Sequence, residues 1–177
     1  MVIYLKKIKF LTIFITFLLS FLFHFGYSLS DNILFSIIFP VNESIWEHMK
    51  IIATSVIVSS IIEYFLLIKN NIKFNNYIIS TTISIILGIF IYLIIYLPIH
   101  YLFGHSLIVA VTILLITFII IENIKHFIMK LDKIKHQNIV GIILMILLYF
   151  IFGYLTYNPI QNDLFIDTEC ECYGIEK

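Results

Sequence analysis

Arginine is absent from this chain of 177 residues, and charged side chains make up only 12% of it. Ordinary soluble domains carry about 25% charged residues. The shortage excludes such a domain: with 61% hydrophobic residues and a mean hydropathy of +1.05, a core of this size has too much apolar surface to hide from water. Lipid is the expected solvent. There is no basic patch, which argues against a nucleic-acid partner and leaves the lipid bilayer as the expected one. No stretch before the last 20 residues is polar enough to be a disordered tail. Cysteine is nearly missing as well. Cys170 and Cys172 are the only two, too close for an easy disulfide and too few for a metal site of their own, so the pair reads as incidental. Isoleucine, asparagine and lysine are abundant, a bias of coding composition rather than of mechanism.

What is present is a series of long apolar runs. A spanning helix needs roughly 20 mainly apolar residues. Five segments qualify: Ile8–Tyr27, Ile51–Ile68, Tyr77–Leu97, Leu107–Ile124 and Ile139–Tyr157. A shorter run, Ile33–Phe39, ends at Pro40 and reads as an interfacial or re-entrant piece. The fold class is therefore all-α: a polytopic membrane bundle of five transmembrane helices plus that short segment near 33–39. Residues 1–157 form the bundle and 158–177 a short extracytoplasmic tail. The first run resembles a signal peptide, with Lys6, Lys7 and Lys9 before it and Ser28-Leu29-Ser30 after it. It is long for one, and is expected to be retained.

Lysine placement sets the orientation. Nine of the eleven lysines precede or open the first run, or lie between runs two and three or four and five. This side is expected to be cytoplasmic. The other side holds Asp31, Glu43, Glu47, Asp163, Asp167, Glu169, Glu171 and Glu176. The expected arrangement is a multi-pass protein of the cell membrane, N-terminus inside and C-terminus outside.

Within this apolar chain, Asn42-Glu43-Ser44-Ile45-Trp46-Glu47-His48 is a dense polar cluster. Ser44-Ile45-Trp46-Glu47 fits a capping box, and Trp46 fits an interfacial aromatic belt. Capping does not account for Asn42, Glu43 and His48 together. The topology also gathers His24, His48, His100 and His105 at the outer level, near Glu43, Glu47 and the acidic tail. Imidazole and carboxylate suit zinc and similar divalent ions, and also acid–base work. The spacing matches no known metal signature, so polar residues tolerated at a water boundary are the plain alternative.

On a helical wheel, Ser44, His48, Ser55, Ser59 and Glu63 fall within a sector of about 100°. This stripe descends from the outer mouth to the inner third of the second run. Glu63 is its costly member, because ionisable groups in a bilayer pair or face a water cavity. Glu122, Asn123 and Lys125 lie at similar depth. Glu63 either pairs with Lys125 or shares a proton with Glu122. Interhelical hydrogen bonding that holds the bundle together is the structural alternative. Thr81, Ser84 and Gly88 read as a packing seam, as do Gly141 and Gly153. Tyr92, Tyr96, Tyr101, Tyr154 and Tyr157 read as an outer aromatic belt.

These residues carry a resemblance. Pro40-Val41-Asn42-Glu43-Ser44-Ile45-Trp46-Glu47-His48-Met49-Lys50 resembles the hallmark of a family of small bacterial multi-pass membrane proteins, a domain of unknown function. Leu155-Thr156-Tyr157-Asn158-Pro159, Leu164-Phe165-Ile166-Asp167 and Tyr173-Gly174-Ile175 resemble its closing motif, and His24-Phe25 its first-span motif. The chain departs at Thr168, where that family usually has Pro, and in the cysteine pair. The resemblance implies a Gram-positive bacterial source and a retained first span. It implies no activity. A looser likeness is to membrane hydrolases that hold zinc by histidines, an Asp and a Ser, but the spacing differs.

Two function classes suit the pattern. One is an outward-facing site, dependent on a divalent metal such as zinc, acting on a lipid or lipid-linked substrate. Its catalytic candidates are Glu43, Glu47 and Ser44, with either Glu as acid–base; His24, His48 and His105 are its metal ligands, and Asp167 lies close by. The other is a carrier of a small solute or proton, using Asn42, Ser55, Ser59, Glu63 and Glu122 as a path. The lack of an inverted repeat counts against it. A non-catalytic assembly role is the third reading.

Overall fold

A computed structural model of the chain describes residues 2–167 and 169–175, with Glu176 and Thr168 outside that range. The described residues form six α-helices: α1 (Val2–His24), α2 (Ile33–Ile38), α3 (Ile45–Lys69), α4 (Tyr77–Phe103), α5 (Leu107–Ile128) and α6 (Gln137–Tyr157). Among the described residues the only extended pairing is one isolated bridge, Ile166 with Tyr173. The 25 residues of α3 make a rod of about 37 Å, against a hydrocarbon core of about 30 Å. Among the described residues four helices, α3 to α6, are long and apolar enough to cross a membrane. The fifth expected span coincides with α1, whose early turns hold Lys6, Lys7 and Lys9.

Short connections fold the helices back on one another. α1 packs on α3 and α5, α4 on α3, α5 and α6, and α2 on α6. The core runs along the inner faces, with Met49, Ile52, Ala53, Ile85 and Phe152 fully buried. Phe10, Leu22, Ile94, Ile108, Ile146 and Phe150 point outward, the surface a bilayer would cover. Small residues let the helices approach. A methyl at Gly141 would meet the Ile79 backbone nitrogen at 3.0 Å, and Thr82 donates to the Gly141 carbonyl at 3.1 Å. Ser84 donates to the Ile121 carbonyl, tying α4 to α5 in the same way.

Several helix limits and placements differ from the sequence reading. α3 starts six residues before Ile51, at Ile45, because Ser44 accepts from the Glu47 amide as a cap. Only half of the capping box forms, since the Glu47 carboxylate turns away to the Val41 amide. α4 runs through Pro98 to Phe103. One lost helical hydrogen bond does not end a helix whose neighbouring Tyr96 is buried in the bundle. Tyr92 and Tyr96 are 7% and 4% exposed, so they are core rather than belt. Trp46 is not a belt residue either; it stacks on Phe165 at 5.0 Å and meets Phe152 edge-on at 5.6 Å. The cysteines are not incidental. Cys170 and Cys172 form a disulfide, brought together by Glu171 in a left-handed turn, φ 55°.

Candidate functional site

The cluster expected at the outer face is built on the N-terminus of α3, which the C-terminal segment clamps. Trp46 N–H donates to the Leu164 carbonyl at 2.9 Å, and Asn42 Nδ2 to the Gly174 carbonyl at 2.9 Å. Asn42 Oδ1 accepts from the Ser44 amide at 3.1 Å, and Asp167 Oδ2 from the Glu43 amide at 3.4 Å. With its backbone held there, Glu43 turns its carboxylate toward two histidines. Glu43 Oε2 lies 3.4 Å from His48 Nε2 and 3.7 Å from His24 Nε2.

His48 follows one helical turn after Ser44, and its Nδ1 sits 2.7 Å from the Ser44 carbonyl. A carbonyl only accepts, so Nδ1 carries the hydrogen. In the neutral ring this leaves the Nε2 lone pair facing Glu43 and His24; a backbone carbonyl holding the other ring nitrogen in this way is usual for metal-bound histidine. When the ring is protonated, Nε2 donates to Glu43 instead. That hydrogen bond holds the Glu43 carboxyl below the usual carboxylate range, and burial opposes it. Ligand atoms of His24, Glu43 and His48 all lie within 4.8 Å of one another.

The three side chains stand at one wall of a cavity of about 300 Å³, which His100, His105 and Tyr96 also line. His105 Nδ1 is 3.0 Å from the Tyr96 hydroxyl. So the four outer histidines face one space, but only His24 and His48 converge on a carboxylate.

The remaining candidates lie elsewhere. Glu47 diverges from the cluster and is 2% exposed. Its carboxylate accepts from Lys50 at 2.5 Å, Thr156 at 2.7 Å and the Val41 amide at 3.0 Å. Lys50 is fully buried and also donates to the Ser36 carbonyl at 2.6 Å and to Thr156 at 2.6 Å. An ammonium has three hydrogens, and here three close acceptors. Glu47 and Lys50 therefore join α2, α3 and α6. Lys50 went unread, although Glu47-x-x-Lys50 has the spacing of a helical ion pair. Ser44 is a cap rather than part of the histidine group.

The stripe on α3 is buried. Ser59 accepts from Thr16 of α1 at 2.7 Å, while the Ser55 hydroxyl has no hydrogen-bond partner. Glu63 meets both of its expected neighbours. It is bonded to Lys125, and the Lys125 ammonium is 3.3 Å from Glu122 Oε2. His126 joins them, its Nε2 2.7 Å from Glu63 Oε1 and 3.0 Å from Glu122 Oε1. Sequence reading passed over His126; the signal was Glu122-x-x-x-His126, one face of a helix.

An all-helical bundle with four membrane-length apolar helices defines the class: it is consistent with a multi-pass membrane protein. Within that class the chain belongs to the Family of unknown function (DUF6512), which matches residues 2–175. No curated protein and no solved structure matches it.

Proposed function

We propose that His24, Glu43 and His48 hold one divalent cation, zinc by their donor set, at an outward-facing site that acts on a lipid or lipid-linked substrate. The observation that carries this reading is the convergence of three ligand atoms within 4.8 Å, with His48 oriented by the Ser44 carbonyl. Three protein ligands leave a fourth position open, the pattern of catalytic rather than structural zinc. His24, Glu43 and His48 all line the cavity. Zinc there supplies a Lewis acid and an acidified water. His105, steadied by Tyr96, lines the same cavity and serves as a proton donor or acceptor. Phe21, Leu107 and Leu114 give the cavity an apolar wall suited to a lipid chain.

The reading includes a topology. α1 is a fifth span, supported by its exposed Phe10, Phe14, Leu18 and Leu22. The lysine-rich end is cytoplasmic by the positive-inside rule. Residues 1–157 are the bundle, and 158–177 an extracytoplasmic segment that buttresses the site.

The test is metal content. Full-length protein purified in detergent is expected to carry zinc near one per chain, falling to background in His48→Ala and Glu43→Ala. Native protein that neither retains nor takes up zinc overturns the reading. Labelling of cysteines placed at Lys73 and Asp31 checks the orientation, with only the second expected to react from outside.

A further inference from the structure

The opposite end of the bundle holds a second charged cluster, independent of the outer site. Glu63 of α3 and Glu122, Lys125 and His126 of α5 are between 0% and 6% exposed. The Lys125 ammonium is bonded to Glu63 Oε2 and to Ser60 Oγ, and sits 5.5 Å above the Tyr77 ring of α4. The Tyr77 hydroxyl donates to Glu63 Oε2 at 2.8 Å. From α1, Lys9 bonds the Asn123 amide oxygen on the exposed side of α5.

Two observations show that this cluster lacks one positive charge when His126 is neutral. The first is the sum of charges. Two carboxylates against one ammonium leave a net charge of minus one in the protein interior, where uncompensated charge is costly. The second is geometric. Glu63 Oε1 and Glu122 Oε1 both point at His126 Nε2, which carries at most one hydrogen. Glu122 Oε1 is buried and, among the described residues, makes no well-aligned hydrogen bond, though His126 Nε2 is 3.0 Å away. An imidazolium supplies the missing charge at that point: its single Nε2 hydrogen is held between the two carboxylate oxygens, and its positive charge faces both. Glu63, Glu122 and His126 also bring ligand atoms within 4.8 Å of one another, but a divalent ion there would add two positive charges beside the Lys125 ammonium, one more than the cluster lacks.

We infer that Glu63, Glu122, Lys125 and His126 form a proton-binding site, occupied by one proton that makes His126 an imidazolium bridging the two carboxylates. Loading brings the cluster to two negative and two positive charges. The proton has a short route in. Ser60 and Tyr77, which touch the cluster, also line a crevice of about 620 Å³ at the lysine-rich end, with Asn76, Lys133 and Gln137 on its polar side. Release of the proton leaves a net charge between α3 and α5, so its binding is coupled to how these helices pack.

The test is nitrogen NMR of histidine-labelled full-length protein in phospholipid nanodiscs, with the His126 signal assigned by its loss in His126→Asn. At neutral pH the native chain is expected to show His126 as imidazolium. Glu122→Gln removes one negative charge and keeps the side-chain shape, so His126 is expected to become neutral. A neutral His126 in the native chain overturns the proposal, and that result does not depend on any variant folding. An imidazolium that persists in a folded Glu122→Gln chain overturns it too. Zinc content plays no part in either outcome, so failure here and failure of the outer metal site are distinguishable.

Discussion

The two ends of this bundle use the same side chains for opposite ends. At the outer end, two histidines and one glutamate converge with no lysine among them, and Glu43 keeps 38% of its side chain exposed. At the inner end, two glutamates and one histidine converge around Lys125, and none of the four residues is more than 6% exposed. The outer group has lone pairs in excess and open space in front of them. The inner group has its charges matched inside the protein. Burial decides the difference. Where water reaches a cluster, spare donor atoms cost little and are free to take a ligand. Where it does not, each charge needs a partner, and the helices that supply those partners are bound together.

The largest expected effect breaks the inner end. Lys125→Met leaves two carboxylates buried without their ammonium and is expected to cost about 3–5 kcal/mol. Unfolding in detergent measures it. His48→Ala, at the outer end, is expected to cost under about 1 kcal/mol by the same measurement. Equal losses would erase the contrast between the two clusters. Next in size, Gly141→Ala is expected to cost about 1–3 kcal/mol, because the added methyl meets the Ile78 and Ile79 backbone. It should act through α4–α6 packing and leave zinc content at the outer end unchanged. Smallest, Ser44→Ala removes the α3 cap for about 1 kcal/mol. Since Ser44 reaches His48 only through its main-chain carbonyl, zinc capacity should survive. Loss of zinc in Ser44→Ala would mean that the cap and the site are one device.

The helices were legible because apolar runs of membrane length have few other uses. Their ends were less so. The third run was expected to end at Leu97, yet α4 continues through Pro98 to Phe103, since a proline near the end of a well-packed helix removes only one bond. The outer cluster was legible in composition but not in partnership. Glu43 and Glu47 are four residues apart and looked equivalent. The clamp by Leu164, Asp167 and Gly174, at the far end of the chain, fixes which of them meets the histidines, and no local pattern carries that long-range contact. Tyr92 and Tyr96 looked like belt residues because depth along a helix is readable from sequence while facing is not, in helices apolar on every side. Lys50 was hidden for another reason. A lysine at a helix start ordinarily points to water; here the Glu47 carboxylate, the Thr156 hydroxyl of α6 and the Ser36 carbonyl, brought over by α2, accept its hydrogens and make its burial tolerable.

The central claim is that the outer cluster, and not the inner one, binds metal. Calorimetric titration of chelator-treated full-length protein with zinc tests it most directly, comparing native, His48→Ala and Glu122→Gln chains. The account predicts uptake of about one zinc by the native and Glu122→Gln chains and none by His48→Ala. Zinc uptake that persists in His48→Ala and disappears in Glu122→Gln would contradict it.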